Sequence, residues 1–259
     1  MQDPFLACPQ TPLIHLGETG STNAEAVRIG EKGDEGPIWV MADRQTAGRG
    51  RLGRQWCSLD GNLHASLLLP LWYEPEEIMH VSLLAGIALA EAVNAVAAAS
   101  PQTTTVRPVL KWPNDLLIAH AKCAGVLVET TAITQGSYRG VLGFGVNIAA
   151  APDIPDRPAT SLLANGVHTT PSALREHLDT ATRSAFQVLA SPDGFTHLRE
   201  SWLAQSMPLG SRIAVTTGTN VRHGEFSGLD TDGALLLTEA GGRLRRITFG
   251  DVSAPGMEE

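Results

Sequence analysis

The chain lacks the features that mark several common protein classes. Its three cysteines, Cys8, Cys57 and Cys123, are odd in number, far apart and without a CxxC pair, so neither a disulfide framework nor a zinc site is expected. The opening residues, MQDPFLACPQTP, contain no basic segment followed by an apolar run, and no secretion signal is read there. The longest apolar stretch, residues 81–99, is interrupted by Glu91 and Asn94 and rich in alanine, which fits a buried helix better than a membrane span. No GxxxxGK[ST] loop is present, which excludes a P-loop nucleotide hydrolase. Positive charge is not in excess either. A net charge of −8 and a pI near 5.5 do not invite DNA or an anionic membrane. There are no internal repeats and no low-complexity segments. A cytoplasmic protein is expected.

What the chain does have is 259 residues, 43% of them hydrophobic and 18% charged, enough for one large domain, or a smaller one with an appendage. Its most distinctive stretch is DRQTAGRGRLGRQW at 43–56, just after an apolar segment at 38–42. Gly48, Gly50 and Gly53 alternate with Arg49, Arg51 and Arg54. Glycine lets a main chain approach a ligand closely, and arginine offers a planar fork of donors suited to phosphate and carboxylate. In an acidic chain, arginines clustered at 44, 49, 51 and 54 point to a specific anion; the competing reading is a basic patch on a solvated loop.

Around this stretch the pattern alternates between strand and helix. Residues 13–16 read as a short strand, and Ser21, Thr22 and Asn23 precede a helical run at 24–29. Ser21 or Thr22 either caps that helix or faces a ligand at its N-terminus. Strands are expected at 37–42 and 62–69, a helix start at 75–77, and a helix apolar nearly all round at 82–98. Lys111-Trp112-Pro113-Asn114-Asp115 then lies between two short apolar segments. A turn explains Pro-Asn-Asp but does not require Lys and Trp ahead of it. Lys122 stands directly before a strand at 123–128, either snorkelling to solvent or pointing into a pocket. A strand at 139–148 carries Gly140, Gly143 and Gly145, which allow close approach.

Neighbouring strands without βαβ repeats give an α+β fold with a mixed or antiparallel sheet. A helix follows from Thr170-Pro171 with Leu174, Leu178, Ala181, Ala185 and Leu189 on one face, and then a shorter one marked by Phe195, Leu198 and Trp202. Beyond 207–210, short β-runs at 212–217, 221–229, 234–238 and 244–249 are separated by glycine-rich turns. They make a small barrel or sandwich. The domains are read as 1–206 and 207–259.

Four segments taken together, GSTN at 20–23, DRQTAGRGRLGRQW at 43–56, KWPNDLL at 111–117 and KCAGVLVE at 122–129, resemble biotin–protein ligases. GFGVN at 143–147 and GLDTDGALLL at 228–237 continue the resemblance into the small domain. The family implies a catalytic domain like that of class II aminoacyl-tRNA synthetases, a mixed sheet flanked by helices, followed by a Src-homology-3-like barrel. It implies two steps: biotin and ATP, with Mg²⁺, give biotinyl-5′-adenylate, and a lysine on the biotin carboxyl carrier domain of acetyl-CoA carboxylase or a related carboxylase then takes the biotinyl group. A homodimer is a further possibility the family raises. Nineteen residues precede Gly20, too few for the helix-turn-helix of the family's larger members, so the ligase-only type, without DNA, is expected.

Residue roles are carried over by position. Arg49, Gly50 and Arg51 match the loop that folds over biotin and the adenylate, and Arg54 a third basic position near the leaving phosphates. Ser21, Thr22, Asn23 and Gln45 match positions around the biotin head, whose ureido group suits such side chains. Lys122 matches the lysine at the reacting carboxylate, and Asp115 an acid beside the entering acceptor lysine, as base or orienter. Trp56, Trp112, Asn114 and Asn147 match positions near the nucleotide, though either tryptophan also reads as core and Asn114 could bind Mg²⁺ instead. No resident metal ligand is assigned. Cys123 stands where an aliphatic residue is commoner and reads as a small buried apolar group. A loop so rich in glycine is expected to be mobile when empty and ordered by ligand. The nearest rival is a lipoate–protein ligase, disfavoured by GRGRLGR and KWPND.

Overall fold

Two β-sheets carry the chain in the computed structural model, which describes residues 3–6, 8–34, 36–70, 78–100, 106–134, 137–155 and 157–253. The larger has seven strands: β1 (Leu13–Thr19), β2 (Ile38–Gln45), β3 (Leu63–Leu69), β4 (Val109–Lys111), β5 (Asp115–Ile118), β6 (Ala121–Thr134) and β7 (Ser137–Val146). Their spatial order is β1-β2-β3-β7-β6-β5-β4. Only β1 and β2 run parallel, with Leu13 beside Trp39 and Thr19 beside Gln45; every other pairing is antiparallel, so the sheet is mixed as expected. β3 is buried at all seven positions, which is why it shows no clean alternation: it lies mid-sheet with both faces covered.

One face is covered by α2 (Ile78–Ala98) and α3 (Pro171–Leu189), the other by the shorter α1 (Thr22–Glu31). Among the described residues α2 is the one helix long and apolar enough to cross a membrane, but most of it is buried against α3, α4 (Gly194–Ala204) and the sheet. Its expected start at 75–77 lies outside the described residues. α3 begins as its sequence announces: Thr170 Oγ1 accepts from the Ala173 amide at 3.2 Å, with Pro171 in the first turn.

The smaller sheet has β8 (Arg212–Thr217), β9 (Asn220–Leu229), β10 (Leu235–Thr238), β11 (Leu244–Ile247) and β12 (Asp251–Ser253), in the order β11-β10-β9-β8-β12. Among the described residues β11 and β12 do not pair, so the expected barrel is an open five-stranded antiparallel sheet. The two sheets share one hydrophobic cluster, in which Phe226, Leu235 and Leu237 join Leu83 and Leu84 of α2. Trp112 spans the junction, donating its indole N–H to the Gly233 carbonyl at 3.1 Å.

Candidate active site

α1 points its N-terminus into a cavity of about 430 Å³. Ser21 is the cap residue by backbone geometry, yet its side chain makes no capping bond. Gln45, at the end of β2, supplies the cap instead: its Oε1 accepts from the Thr22 amide at 2.8 Å and from Thr22 Oγ1 at 3.1 Å. The reading of Ser21 or Thr22 as a side-chain cap is thus corrected, because both hydroxyls are left for the cavity and the sheet. Ser66 Oγ, on β3, lies 2.7 Å from Thr22 Oγ1 and 2.6 Å from Asn23 Oδ1. Asn23 Nδ2 donates to Glu129 Oε2 at 2.7 Å. Asn23 needs the glycine beneath it: a Cβ at Gly143 would lie 2.2 Å from its Oδ1.

The centre is held by an acid between two lysines. Lys122 Nζ is 2.5 Å from Asp115 Oδ1 and Lys111 Nζ is 3.0 Å from Oδ2, with the Asp115 side chain only 13% exposed. The register explains the meeting, since Lys111 pairs with Asp115 across the β4–β5 turn and Lys122 pairs with the next residue but one, Leu117. Burial works to raise the pKa of Asp115, but Lys122 and Lys111 overcome it and hold the carboxyl at about 2.

The arginine loop closes one side, and each of its arginines has a carboxylate partner. Arg49 Nη2 lies 3.3 Å from Glu129, Arg51 Nη1 lies 3.5 Å from Asp251, and Arg54 pairs with the other oxygen of Asp251. Arg51 also donates to Asn114 Oδ1 at 3.2 Å and to the Gly250 carbonyl at 3.1 Å. Burial, the largest influence, lowers the pKa of Arg51, and Arg54 lowers it further against the pull of Asp115. Trp56 lies over Gly145, where a Cβ would come within 2.5 Å of the indole. Its Nε1 and Asn147 Oδ1 are buried without a partner among the described residues, a donor and an acceptor both in the cavity wall. Six cationic side chains line the cavity against two carboxylates, inverting the sign of the chain as a whole.

The site thus has three parts: a hydrogen-bonding end at Ser21, Thr22, Asn23 and Gln45, a cationic centre, and a wall of Trp56 and Asn147. Residues 18–147 match the model of the biotin/lipoate A/B protein ligase family, and residues 209–254 that of the biotin protein ligase C-terminal domain. The chain belongs to this family. Over 235 residues it is 36% identical to a biotin–[acetyl-CoA-carboxylase] ligase of Paracoccus denitrificans, covering 88% of this chain and 95% of that one. It is 32% identical to the Mycobacterium tuberculosis enzyme of the same name, covering 92% and 86%. Among solved structures it resembles the Aquifex aeolicus biotin protein ligase in complex with biotin and ATP, at a TM-score of 0.76 and 27% identity, over 94% of this chain and 98% of that one. It also resembles the Leishmania major ligase in complex with biotinyl-5-AMP, at a TM-score of 0.63 and 27% identity over 93% and 100%. Within the family it falls with the biotin–protein ligases.

Of the positions the family implies, Ser21, Thr22, Asn23, Gln45, Arg49, Gly50, Arg51, Arg54, Trp56, Asn114, Asp115, Lys122 and Asn147 all line the one cavity. Trp112 does not. It is fully buried and fastens the two sheets together, so its placement beside the nucleotide is corrected to the core, the side that an i+1 step along the β4–β5 turn gives it. Cys123 is fully buried, and burial pushes its thiol up to about 12, which leaves it chemically inert. Sequence reasoning missed Ser66, Glu129 and Asp251. Glu129 closed a quoted motif but carried no signal of its own, and Asp251 sits in a three-residue strand too short for any periodicity.

Proposed function

We propose that this cavity joins biotin to ATP as biotinyl-5′-adenylate and then passes the biotinyl group to a lysine on the biotin carboxyl carrier domain of a carboxylase. The observation that carries the reading is the convergence of Lys122, Arg51 and Asp115 between a hydrogen-bonding end and a wall with orphaned polar groups. Joining two anions requires positive charge placed beforehand.

Thr22, Asn23, Gln45 and Ser21 take the ureido head of biotin, and Lys122 takes its carboxylate. A carboxylate oxygen attacks the α-phosphorus, pyrophosphate leaves, and the arginines stabilise the charge that moves onto it. Arg51 and Arg54 are the nearest candidates, since Asp251 is a partner that phosphate oxygens can replace. Asn147 Oδ1 suits an amino group of the base, and Trp56 Nε1 a nucleotide oxygen. Mg²⁺ would be held by the triphosphate oxygens and would supply further positive charge there. Among the described residues no cluster of three or more His, Cys, Asp or Glu is placed to hold it, and Asp115 and Asp251 are both engaged by cations.

In the second step the acceptor lysine first loses its ammonium proton to solvent, its neutral nitrogen then attacks the acyl carbon, AMP leaves with the bonding pair, and the remaining extra proton on nitrogen passes to solvent. Free lysine has a pKa of about 10.4. A carboxylate held at about 2, with both oxygens taken, is a weak proton acceptor and a good fixed charge. Asp115 therefore orients Lys122 and the entering amine. We place the chemistry in residues 1–206, with residues 207–259 contributing Asp251 to the cavity wall.

Biotin-dependent exchange of labelled pyrophosphate into ATP tests the first step, and labelling of a carrier domain with biotin and MgATP the second. Exchange with lipoate but not biotin would overturn the reading.

A further inference from the structure

We infer that Glu129 is a positioning residue that couples the hydrogen-bonding end of the cavity to the arginine loop, through Asn23 on one side and Arg49 on the other; this rests on the biotin reading above. A run of polar side chains within hydrogen-bond distance of one another leads from Gln45 to Thr22, Ser66, Asn23 and Glu129, and ends on Arg49, with the Thr22 amide holding Gln45 at its inner end. Its inner members cannot re-aim. Ser66 is fully buried and Asn23 is 4% exposed, pinned between Ser66 and the bare backbone of Gly143. Its outer members are looser, with the Glu129 side chain 31% exposed and that of Arg49 50% exposed. The run therefore passes from a fixed interior to a loop that must admit ligand.

Glu129 has two duties that can be separated. Through Oε2 it accepts from Asn23 Nδ2 at 2.7 Å, which fixes the amide with its oxygen toward Ser66 and its nitrogen toward β6. The second amide hydrogen makes only a long 3.4 Å contact to the Leu127 carbonyl, and is the one a ureido carbonyl can claim. Through its charge Glu129 holds Arg49, the first arginine of the loop, at 3.3 Å. An exposed ion pair alone contributes little. This carboxylate differs in being shared with a buried amide that lines the cavity, so occupancy at Asn23 is felt at Arg49.

Glu129→Gln retains an acceptor for Asn23 and removes the charge that holds Arg49; Glu129→Ala removes both. For Glu129→Gln the expected result is a biotin KM within about threefold of wild type, a fall of about tenfold in kcat for pyrophosphate exchange, and loss of biotin-induced protection against trypsin at Arg49. Glu129→Ala should in addition raise the biotin KM about tenfold. Because Glu129 acts through Arg49, the double variant Glu129→Gln/Arg49→Gln should be no slower than Arg49→Gln alone. Equal thermal midpoints for Glu129→Gln and wild type would set simple destabilisation aside, and the conservative variant keeps the test open where Glu129→Ala does not fold. Wild-type exchange and protection in Glu129→Gln, or multiplying losses in the double variant, would overturn the coupling. Failure of the biotin reading looks different: the wild-type protein itself would then show no exchange with biotin.

Discussion

Lys122 and Lys111, two of the chain's three lysines, grip opposite oxygens of one carboxylate, that of Asp115, at 2.5 and 3.0 Å. The acid is thereby fixed in charge and in place. Asp115→Asn should slow both half-reactions together, by about 10–100-fold, because Lys122 loses the group that aims it. Pyrophosphate exchange and transfer from pre-formed adenylate, measured separately, check this. A loss confined to transfer and relieved by raising the pH would instead identify Asp115 as the base.

The same triad gives stability a pH dependence. Asp115 titrates at about 2 in the folded chain against about 3.9 when unfolded, so the unfolded state binds more protons at this position. The stabilisation, about 2–3 kcal/mol, is full above about pH 4 and is lost as the pH falls through about 2. Urea midpoints of wild type and Asp115→Asn should converge toward the acid end of that window and separate above it. A gap independent of pH would assign the difference to packing.

Trp112 offers a test of structure against site. Trp112→Phe leaves the Gly233 carbonyl without its donor and should cost about 1–3 kcal/mol of stability. The KM for ATP in exchange should stay within about twofold of wild type, because Trp112 does not line the cavity. A large rise in that KM with unchanged stability would return Trp112 to the nucleotide.

Gly145→Ala tests the wall. The new methyl would meet the Trp56 ring at 2.5 Å, so the indole must move and carry its unpartnered Nε1 with it. We expect an ATP KM raised about tenfold, with biotin binding by calorimetry changed much less. Equal losses for both ligands would mean that the whole loop had been displaced.

Much of this molecule was legible in its sequence, for identifiable reasons. Thr170-Pro171 announced α3 because the local capping chemistry is the chemistry used. Gly143 and Gly145 marked close approach, and the side chains that occupy the vacated space, Asn23 and Trp56, are both in the site. Ser21-Thr22 misled as a cap because the true cap, Gln45, comes from a parallel neighbour strand that local sequence does not reveal. Trp112 misled because residues 111–115 turn within three positions, so adjacent side chains go to opposite sides: Lys111 to the cavity and Trp112 to the core. Glu129 and Asp251 were hidden for a common reason. Their partners lie 80 and 197–200 residues away, and no local pattern reports a tertiary ion pair.

The anchoring of Arg51 and Arg54 on Asp251 has a consequence for how the protein fails. β12 is a three-residue strand at the edge of the smaller sheet, paired among the described residues only with β8, and edges of that kind open first. When it frays, the larger sheet and its apolar core can persist while the arginines lose their hold. Inactivation on heating should therefore precede the loss of helix signal, and the working lifetime of the enzyme should be set by a three-residue edge strand rather than by its largest core.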